Sequence, residues 1–199
     1  GPGPTKEEFV NKDYLDYRLK EKVFGLIDTG YTDEYGIQEL VNKATEVIKE
    51  LDISKEKRLV QHFFAEVVKD NGLSTYGEAE VRQFLNAGSV ETLLLSEGLR
   101  KFRVKVKCSN SSCDYGFEKT VADVESFKGE LGFCPVCENK LSIRSPLNII
   151  EIKDVVDELS DLAEKTGTAV EMISVDTEEG GQLLNSFGGI AAILRYRAS

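Results

Sequence analysis

The stretch Phe187-Gly-Gly-Ile-Ala-Ala-Ile-Leu-Arg-Tyr-Arg197 lies at the end of the chain and decides the fold. Two glycines lead into five apolar residues, which are followed by two arginines that flank a tyrosine. A short, continuous apolar run of this kind is typical of a strand that is buried on both faces. We therefore predict that Ile190–Arg197 is the closing strand in the core of a layered domain.

Helices and strands alternate in the part of the chain that precedes this strand. The apolar pattern predicts helices over residues 77–87, 150–166 and 178–185, and strands over residues 90–96, 100–107 and 168–175. This alternation predicts an α/β fold in which helices cover a sheet. An insertion over about 100–146 interrupts this alternation: the strand over 100–107 opens it, and it closes near Pro146.

The first part of the chain is predicted to form a smaller α/β unit. The pattern predicts a helix, a buried strand and two more helices over residues 5–21, 23–29, 35–50 and 54–70. The first helix opens with the capping-box pattern Thr5–Glu8, and Ser54 is the predicted cap of the last helix. Because Asn71-Gly72 ends that helix, we predict domains over 1–73 and 74–199.

The composition indicates a globular protein with an acidic surface. With 41% apolar and 30% charged residues, the 199-residue chain can bury a core. Its formal charge of −10 opposes non-specific binding to phosphates, so any RNA contact must come from a local basic patch. The sequence has neither an apolar run long enough to span a bilayer nor the pattern of a secretory leader, and we predict a cytoplasmic location.

All four cysteines lie within the predicted insertion, as Cys108-x4-Cys113 and Cys134-Pro-Val-Cys137. Two short loops that each carry a pair of thiols are typical of a tetrahedral zinc site. Four thiolates leave no coordination position for water, so the sequence predicts structural zinc, which would stabilise a segment with few apolar residues. Two disulfides and four free thiols are the alternatives, and a reducing cytosol disfavours the disulfides.

Four cations alternate with apolar residues just before the first cysteine. Lys101, Arg103, Lys105 and Lys107 fall on one face of the predicted strand, because successive side chains of a strand point to opposite sides. One interpretation is a contact with RNA phosphates. The other, which we favour, is a solvated face that offsets the negative charge of a four-thiolate zinc site.

Three stretches of the chain resemble the class-1 peptide-chain release factors of archaea and eukaryotes, and most closely the archaeal type. The specific one is Phe187–Arg197, and the others are Tyr76–Ser96 and the opening Gly1–Phe9. Ala191-Ala192 stands where the family often has a glycine pair. The chain resembles the second half of the family's middle domain followed by its whole C-terminal domain. Gly1–Pro4 could be the scar of a cleaved tag or a native loop, and the resemblance favours the native loop.

The resemblance implies an α/β fold throughout. Residues 74–199 would form a layered α/β C-terminal domain, similar to kink-turn-binding ribosomal proteins. The small zinc-binding insert over about 100–146 would project from it, as in the archaeal branch of the family. Residues 1–73 would be the C-terminal half of a middle domain, a partial RNase-H-like α/β layer.

The function implied by the resemblance is translation termination. In this family the intact factor reads a stop codon and directs peptidyl-tRNA hydrolysis, while the C-terminal domain recruits a translational GTPase of elongation-factor type and contacts the ribosome. The resemblance assigns GTPase binding to Ile193, Leu194, Arg195 and Tyr196. Arginine and tyrosine are favoured interface anchors, so the last two are the better candidates for contact. We expect a monomer that is not itself an enzyme.

Two features could suggest catalysis, and neither is predicted to act in it. His62, the only histidine, lies beside Phe63 on a predicted helix with no nucleophile near it in pattern. Gly180-Gly181-Gln182 has the composition of the family's catalytic tripeptide, but two glutamates precede it and apolar helix positions follow it. Because carboxylates suit a helix N-terminus and oppose entry into a pocket of RNA, we predict a helix start here and expect the catalytic loop upstream of Gly1.

Three alternatives to the release-factor interpretation stay open. A Pelota-type ribosome-rescue factor shares these two domains, although Phe187–Arg197 argues against it. A zinc-ribbon RNA-binding module would act directly through the basic strand and the insert. An independent hydrolase that uses Gln182 is the least favoured, because a three-residue match is weak support.

Overall fold

The chain folds into helices and two separate β-sheets. The computed structural model describes residues 3–12, 14–20, 22–69, 71–141 and 144–197. The helices α1–α8 within these ranges are Thr5–Asn11, Tyr17–Lys20, Glu34–Lys69, Glu78–Asn86, Val124–Glu130, Pro135–Leu141, Val155–Lys165 and Glu178–Phe187. The strands β1–β7 are Ser74–Tyr76, Val90–Ser96, Phe102–Cys108, Gly116–Val121, Leu147–Asp154, Ala169–Ile173 and Ile190–Leu194.

The main sheet has the strand order β1-β7-β2-β6. Strand β7 pairs antiparallel with β1 on one side and with β2 on the other, and β2 runs parallel to β6. All five residues of β7 are buried, so the prediction of a closing core strand is confirmed. The strand ends at Leu194, earlier than predicted, because Arg195–Arg197 leave the sheet and are exposed.

Helices cover both faces of the main sheet, as the predicted α/β fold requires. On one face, α4 and α7 pack Leu85 and Leu159 against Leu93 and Ile190. On the other face, the end of α3 and helix α8 pack Phe63 and Leu183 against strand residues that include Leu94 and Ile193. Alternate residues of β7 thus serve opposite layers, which is why the whole strand is apolar.

The second sheet is built from the insertion and the strand that follows it. Its order is β4-β3-β5, and both pairings are antiparallel. Val104 and Val106 of β3 and Phe127 of α5 are the buried members of its small core. The strand predicted over 100–107 is therefore confirmed, although it begins at Phe102 and extends to Cys108.

The prediction of a helix over 150–166 is wrong in its first part. Residues up to Asp154 continue β5, which pairs with β3, and helix α7 begins only at Val155. The Asp154 carboxylate accepts a hydrogen bond from the Val156 N–H at 2.7 Å and so caps the helix. Ile150 and Ile152 are exposed on the strand, so Ile152 does not face a helix-covered core as the helical pattern predicts.

The chain divides into two compact units between Lys55 and Glu56, within α3. The predicted boundary lies later, near residues 71–73. The difference arises because Val60 and Phe63, near the end of α3, belong to the core of the second unit. Ser54 is not a cap: its hydroxyl donates to the Glu50 carbonyl at 2.8 Å, and a single helix replaces the two predicted ones.

The first unit lacks the predicted strand. Within the described residues of this unit there are helices but no strand, and Val23–Thr29 has no partner strand, with Phe24 80% exposed. The helix predicted over 5–21 is two short helices, and Thr5 is not a side-chain cap because the Pro4 carbonyl accepts the first bonds. Large apolar residues between Ile37 and Leu51 are exposed rather than facing a core. The predicted ends at Gly1, Pro2 and Glu21 lie outside the described residues.

Candidate functional site

The four cysteines converge on one point at the end of the insert sheet. Cys108 is the last residue of β3, and Cys113 follows in the turn. Cys134 directly precedes α6, and Cys137 lies in its first turn. All four Sγ atoms lie within 4.8 Å of one another. The Cys108–Cys137 and Cys113–Cys134 sulfur pairs are 3.7 and 3.8 Å apart, which is far longer than a disulfide bond.

Backbone hydrogen bonds hold the two cysteine loops side by side. The Cys108 N–H donates to the Tyr115 carbonyl at 3.0 Å, which closes the first loop. The Cys134 N–H donates to the Ser145 carbonyl at 2.8 Å, which holds the second loop against the strand leading into β5. The Asn110 amide adds a 3.5 Å contact with the Cys137 sulfur and so links the loops.

The thiols have unequal acidity. Burial raises the pKa of Cys108. The Tyr115 backbone N–H lowers the pKa of Cys113, but burial and the neighbouring sulfurs outweigh it and raise this pKa to about 12. Burial opposes ionisation of Cys137 as well, yet hydrogen bonds led by that of Ser145 lower its pKa to about 7. Four sulfurs this close cannot all be thiolates without a cation between them, and the cluster could hold a metal ion.

The predicted basic face exists, but its cations differ in their surroundings. Val104 and Val106 are buried, so Arg103, Lys105 and Lys107 share the opposite face of β3. Arg103 and Lys105 both form ion pairs with Glu118 on the neighbouring strand, at 3.4 and 3.6 Å.

Lys101 and Lys107 have no ion pair in the part of the chain that the structure describes. Lys101 precedes β3, and Lys107 lies at its cysteine end. The basic face is thus partly neutralised in its middle.

The end of β7 divides the four residues assigned to partner binding. Ile193 and Leu194 are 5% and 3% exposed and belong to the core. Arg195 donates to the Gly167 carbonyl at 2.9 Å, just beyond the end of α7. The Tyr196 side chain is 57% exposed, and its hydroxyl lies 3.1 Å from the Ser89 hydroxyl. Of the four, only Arg195 and Tyr196 present side chains at the surface.

The tripeptide Gly180-Gly181-Gln182 lies in the first turn of α8, as predicted. The Thr177 hydroxyl accepts a hydrogen bond from the Gly180 N–H at 3.0 Å and caps the helix. Gly180 is buried, and a Cβ at this position would collide with the Ser174 carbonyl oxygen. Packing therefore explains the first glycine. His62 is exposed on α3, 3.7 Å from the Glu66 carboxylate.

A charged network that the sequence did not indicate joins the insert sheet to helices α4 and α7, which cover the main sheet. Arg82 of α4 binds both carboxylate oxygens of Glu158 on α7, at 2.9 and 3.1 Å, and Glu78 at 3.0 Å. Glu78 also accepts a hydrogen bond from the Thr120 hydroxyl on β4 at 2.8 Å. The spacing of Glu78 and Arg82 is typical of a helical ion pair, but no sequence signal indicated Glu158 or Thr120.

The fold and these sites define a class of protein: a helix-covered α/β sheet domain that carries a three-stranded insert with a four-cysteine cluster. Comparison with known families then identifies the chain. The model of eRF1 domain 3 matches residues 53–198, and that of eRF1 domain 2 matches residues 1–50. The chain therefore belongs to the eRF1 family of peptide chain release factors.

Individual relatives agree with this family. The peptide chain release factor subunit 1 of Thermococcus sibiricus is 48% identical over 198 residues, which cover 99% of this chain and 46% of the relative. The C-terminal domain of the peptide chain release factor from Methanosarcina mazei is similar in structure, with a TM-score of 0.68 and 44% identity, covering 84% of this chain and 98% of that domain. The chain spans about half the length of the curated relatives that it matches.

A more distant likeness concerns the fold alone. A structure of ribosome-bound archaeal Pelota and ABCE1 contains a chain with a TM-score of 0.53 and 24% identity, covering 100% of this chain and 43% of that one. Among the helices of the described residues, none is long and apolar enough to cross a membrane.

Proposed function

We propose that this chain is the docking part of an archaeal-type release factor in translation termination. The first unit would be the C-terminal half of the middle domain, and the second the C-terminal domain that recruits a translational GTPase of elongation-factor type and contacts the ribosome. Family membership supports this proposal, with 48% identity along nearly the whole chain. The Pelota-type alternative has the weaker support, because the Pelota-containing structure matches at 24% identity.

The observation that carries the proposal is the pair of anchored side chains at the end of β7. Arg195 binds the Thr166 and Gly167 carbonyls, and the Tyr196 hydroxyl meets Ser89, so both side chains are oriented before any partner arrives. An oriented tyrosine with an exposed ring loses little conformational entropy on binding, and tyrosine and arginine are enriched among residues that dominate interface energies. We assign the GTPase contact to Tyr196 first and to Arg195 second.

Capture of purified translational GTPases by the tethered chain tests this contact. We expect Tyr196→Ala to weaken capture by about 30-fold or more, the effect of losing a dominant interface residue. Tyr31→Ala is the matched control, because Tyr31 is a similarly exposed tyrosine in the first unit. Arg195→Ala also removes the contact at the end of α7, so its melting temperature must be measured beside its binding. Undiminished capture by both variants would remove the assignment.

We further propose that the four cysteines bind one structural zinc ion. Tetrahedral zinc with bonds of about 2.3 Å places its sulfur ligands about 3.8 Å apart. The Cys108–Cys137 and Cys113–Cys134 sulfur pairs, at 3.7 and 3.8 Å, have this spacing. Because a fourth thiolate fills the coordination sphere, the ion would stabilise the insert and would not activate water.

Metal analysis of freshly reduced protein tests the zinc proposal. We expect close to one zinc per chain, and loss of most of it in Cys137→Ser. Ser112→Ala, in the turn beside Cys113, changes a neighbouring side chain without removing a sulfur and should keep its zinc. A wild-type ratio far below one would favour free thiols.

We place the chemistry of peptidyl-tRNA hydrolysis outside this chain. The support is the position of Gly180-Gly181-Gln182 within the first turn of α8, where Gly180 is packed against Ser174. Isolated chain added to ribosomes that hold a nascent peptide should release none. Release that disappears in Gln182→Ala would contradict this assignment.

A further inference from the structure

An exposed phenylalanine lies directly beside the cysteine cluster. Hydrogen bonds flank Phe133 on both sides: the Leu147 N–H donates to the Gly132 carbonyl at 3.1 Å, and the Cys134 N–H donates to the Ser145 carbonyl at 2.8 Å. Successive side chains of such an extended segment point in opposite directions. Because Cys134 is fully buried, Phe133 is turned away from the cluster, and it is 48% exposed.

The strand register places Lys107 on the same face as this ring. Phe133 forms a β-bridge with Pro146, and in the β3–β5 register Lys107 lies opposite Asn148. Pro146 and Asn148 are two residues apart on one extended segment, so their side chains lie on the same face. Residues directly opposite one another in a sheet share a face, so Lys107 and Phe133 do as well. From strand spacings, we place them roughly 10–12 Å apart.

Two cations, Lys107 and Arg144, lie at this end of the insert, which as a whole carries a net positive charge. The Arg144 guanidinium lies 5.5 Å from the centre of the Phe133 ring, and its Nε is 3.7 Å from the Glu138 carboxylate. Lys107 has no ion-pair partner within the described ranges, whereas Lys105 is paired with Glu118. Residues 100–146 contain nine Lys and Arg against six Asp and Glu, although the whole chain has 25 against 35.

We propose that Lys107, Phe133 and Arg144 form a surface that binds single-stranded RNA, with one unstacked base on the Phe133 ring. An exposed aromatic ring offers a stacking platform to any base, and the two cations would neutralise the flanking phosphates. The Arg144 guanidinium already covers part of the ring, and a base on the remaining surface would complete a stacked arrangement. A duplex keeps its bases paired and cannot use the ring in this way.

This surface differs from the stripe of strand cations considered from the sequence alone. Arg103 and Lys105 lie on the same face of β3 but farther along the strand from Phe133 than Lys107, and both pair with Glu118. Arg144 is paired as well, with Glu138 at 3.7 Å, but its guanidinium lies over the Phe133 ring itself. The inference rests on the proposed function only in taking ribosomal RNA as the natural source of the strand. The binding chemistry depends on the three residues themselves.

Fluorescence anisotropy with a labelled 12-nucleotide single-stranded RNA and the zinc-loaded full chain tests the surface. We expect salt-sensitive binding that Phe133→Ala weakens by about 5- to 100-fold, the range found for a lost base–aromatic stack. Phe133→Tyr should bind like the wild type, and Phe133→Leu, which keeps an apolar side chain without a π face, should lose affinity. Lys107→Ala and Arg144→Ala should each lower the salt slope by about one.

Matched variants separate this surface from general adhesion. Phe24→Ala removes an exposed phenylalanine of the first unit, and Lys105→Ala removes a cation of the same strand that lies farther from Phe133 than Lys107 does; neither should change affinity much. Zinc content and melting temperature show whether each variant is folded. If Phe133→Ala does not fold, the comparison of Phe133→Leu with Phe133→Tyr decides whether RNA binding needs the aromatic ring. Equal binding by Phe133→Leu and the wild type would overturn the proposal, as would equal use of duplex RNA or no RNA binding.

The same preparations show which proposal fails. Tyr196→Ala should lose GTPase capture and keep RNA affinity, while Phe133→Leu should do the reverse. If RNA binding is absent but Tyr196-dependent capture persists, the RNA surface is wrong and the release-factor assignment stands. If the wild-type chain captures no GTPase but its RNA binding depends on Phe133, the assignment of the GTPase contact is wrong and the RNA surface stands.

Discussion

Replacing Arg82 by methionine should destabilise the second unit far more than replacing a cation on the basic face of the insert. Methionine keeps most of the apolar stem, so the variant isolates the loss of the guanidinium. Arg82 makes two hydrogen bonds to Glu158 and one to Glu78, at 2.9 to 3.1 Å. Burial lowers the pKa of Arg82, but its two carboxylate partners outweigh burial and raise it, which indicates a net attraction.

The size of the effect follows from the burial of the network. The side chains of Arg82, Glu78 and Glu158 are 19%, 16% and 23% exposed. Removing one partner of a fully buried ion pair costs about 3–5 kcal/mol, because the other charge is left without compensation. Water reaches about a fifth of each side chain here, so we expect the free energy of unfolding to fall by about 2–4 kcal/mol.

Urea unfolding of the zinc-loaded chain, followed by far-ultraviolet circular dichroism, measures this loss. Lys105→Met is the control, because the Lys105–Glu118 pair is 41% and 45% exposed and such pairs contribute little. The double variant Arg82→Met, Glu158→Met should lose less unfolding free energy than the two single variants lose together, because it leaves no unpaired Glu158 carboxylate. Additive losses, or an Arg82→Met effect no larger than that of Lys105→Met, would refute the reasoning.

Three further predictions address other parts of the chain. Gly180→Ala should lower the melting temperature because its Cβ collides with a backbone carbonyl, whereas Gly181→Ala, with nothing within 4 Å, should raise stability by about 0.5–1 kcal/mol. A hydrogen bond from Lys69 is the largest of the causes that lower the pKa of Glu66. The stability that ionised Glu66 contributes to the fold is therefore fully present above its unfolded pKa of about 4.3 and is lost as the pH falls through its lower pKa in the folded protein. Glu66→Gln should therefore flatten the acid limb of a urea-midpoint profile between pH 7 and 3, and an unchanged limb would contradict this. Chelating the metal should expose amides of residues 100–146 to hydrogen exchange before those of the main sheet, and simultaneous exposure would argue against structural zinc.

The layered domain could be predicted from the sequence because its signals are local and strong. The apolar run of β7 is only five residues long and follows a glycine pair, which favours a strand over a helix, and the spacing of the apolar residues of α8 favours a helix. Cysteine spacing likewise indicated a common site, because two short loops bring paired thiols together. In these regions the local pattern and the tertiary contacts favour the same answer, so the predictions of the fold and of the cysteine cluster agree with the structure.

Errors arose where a short apolar run had two interpretations. Ile150 and Ile152 lie two residues apart and precede a true helix, so the helical period could be extended backwards over them. The deciding interaction is non-local: β5 pairs with β3, more than forty residues earlier. The opposite error occurs at Val23–Thr29: these residues favour a strand, but they pair with no other strand among the residues that the structure describes.

The basic face shows most clearly why a site needs register as well as pattern. Alternation along β3 correctly placed the cations on one side, but it could not indicate what stands opposite each of them. In the β3–β4 register, Lys105 meets Glu118, and Arg103 reaches the same carboxylate. The cations in the middle of the face are paired with Glu118, while Lys107 has no ion-pair partner among the described residues. Lys107 shares its face with the Phe133 ring, which is turned outward because the next residue belongs to the cysteine cluster. The same burial that would close a metal site thus exposes the ring on which we propose that an RNA base stacks.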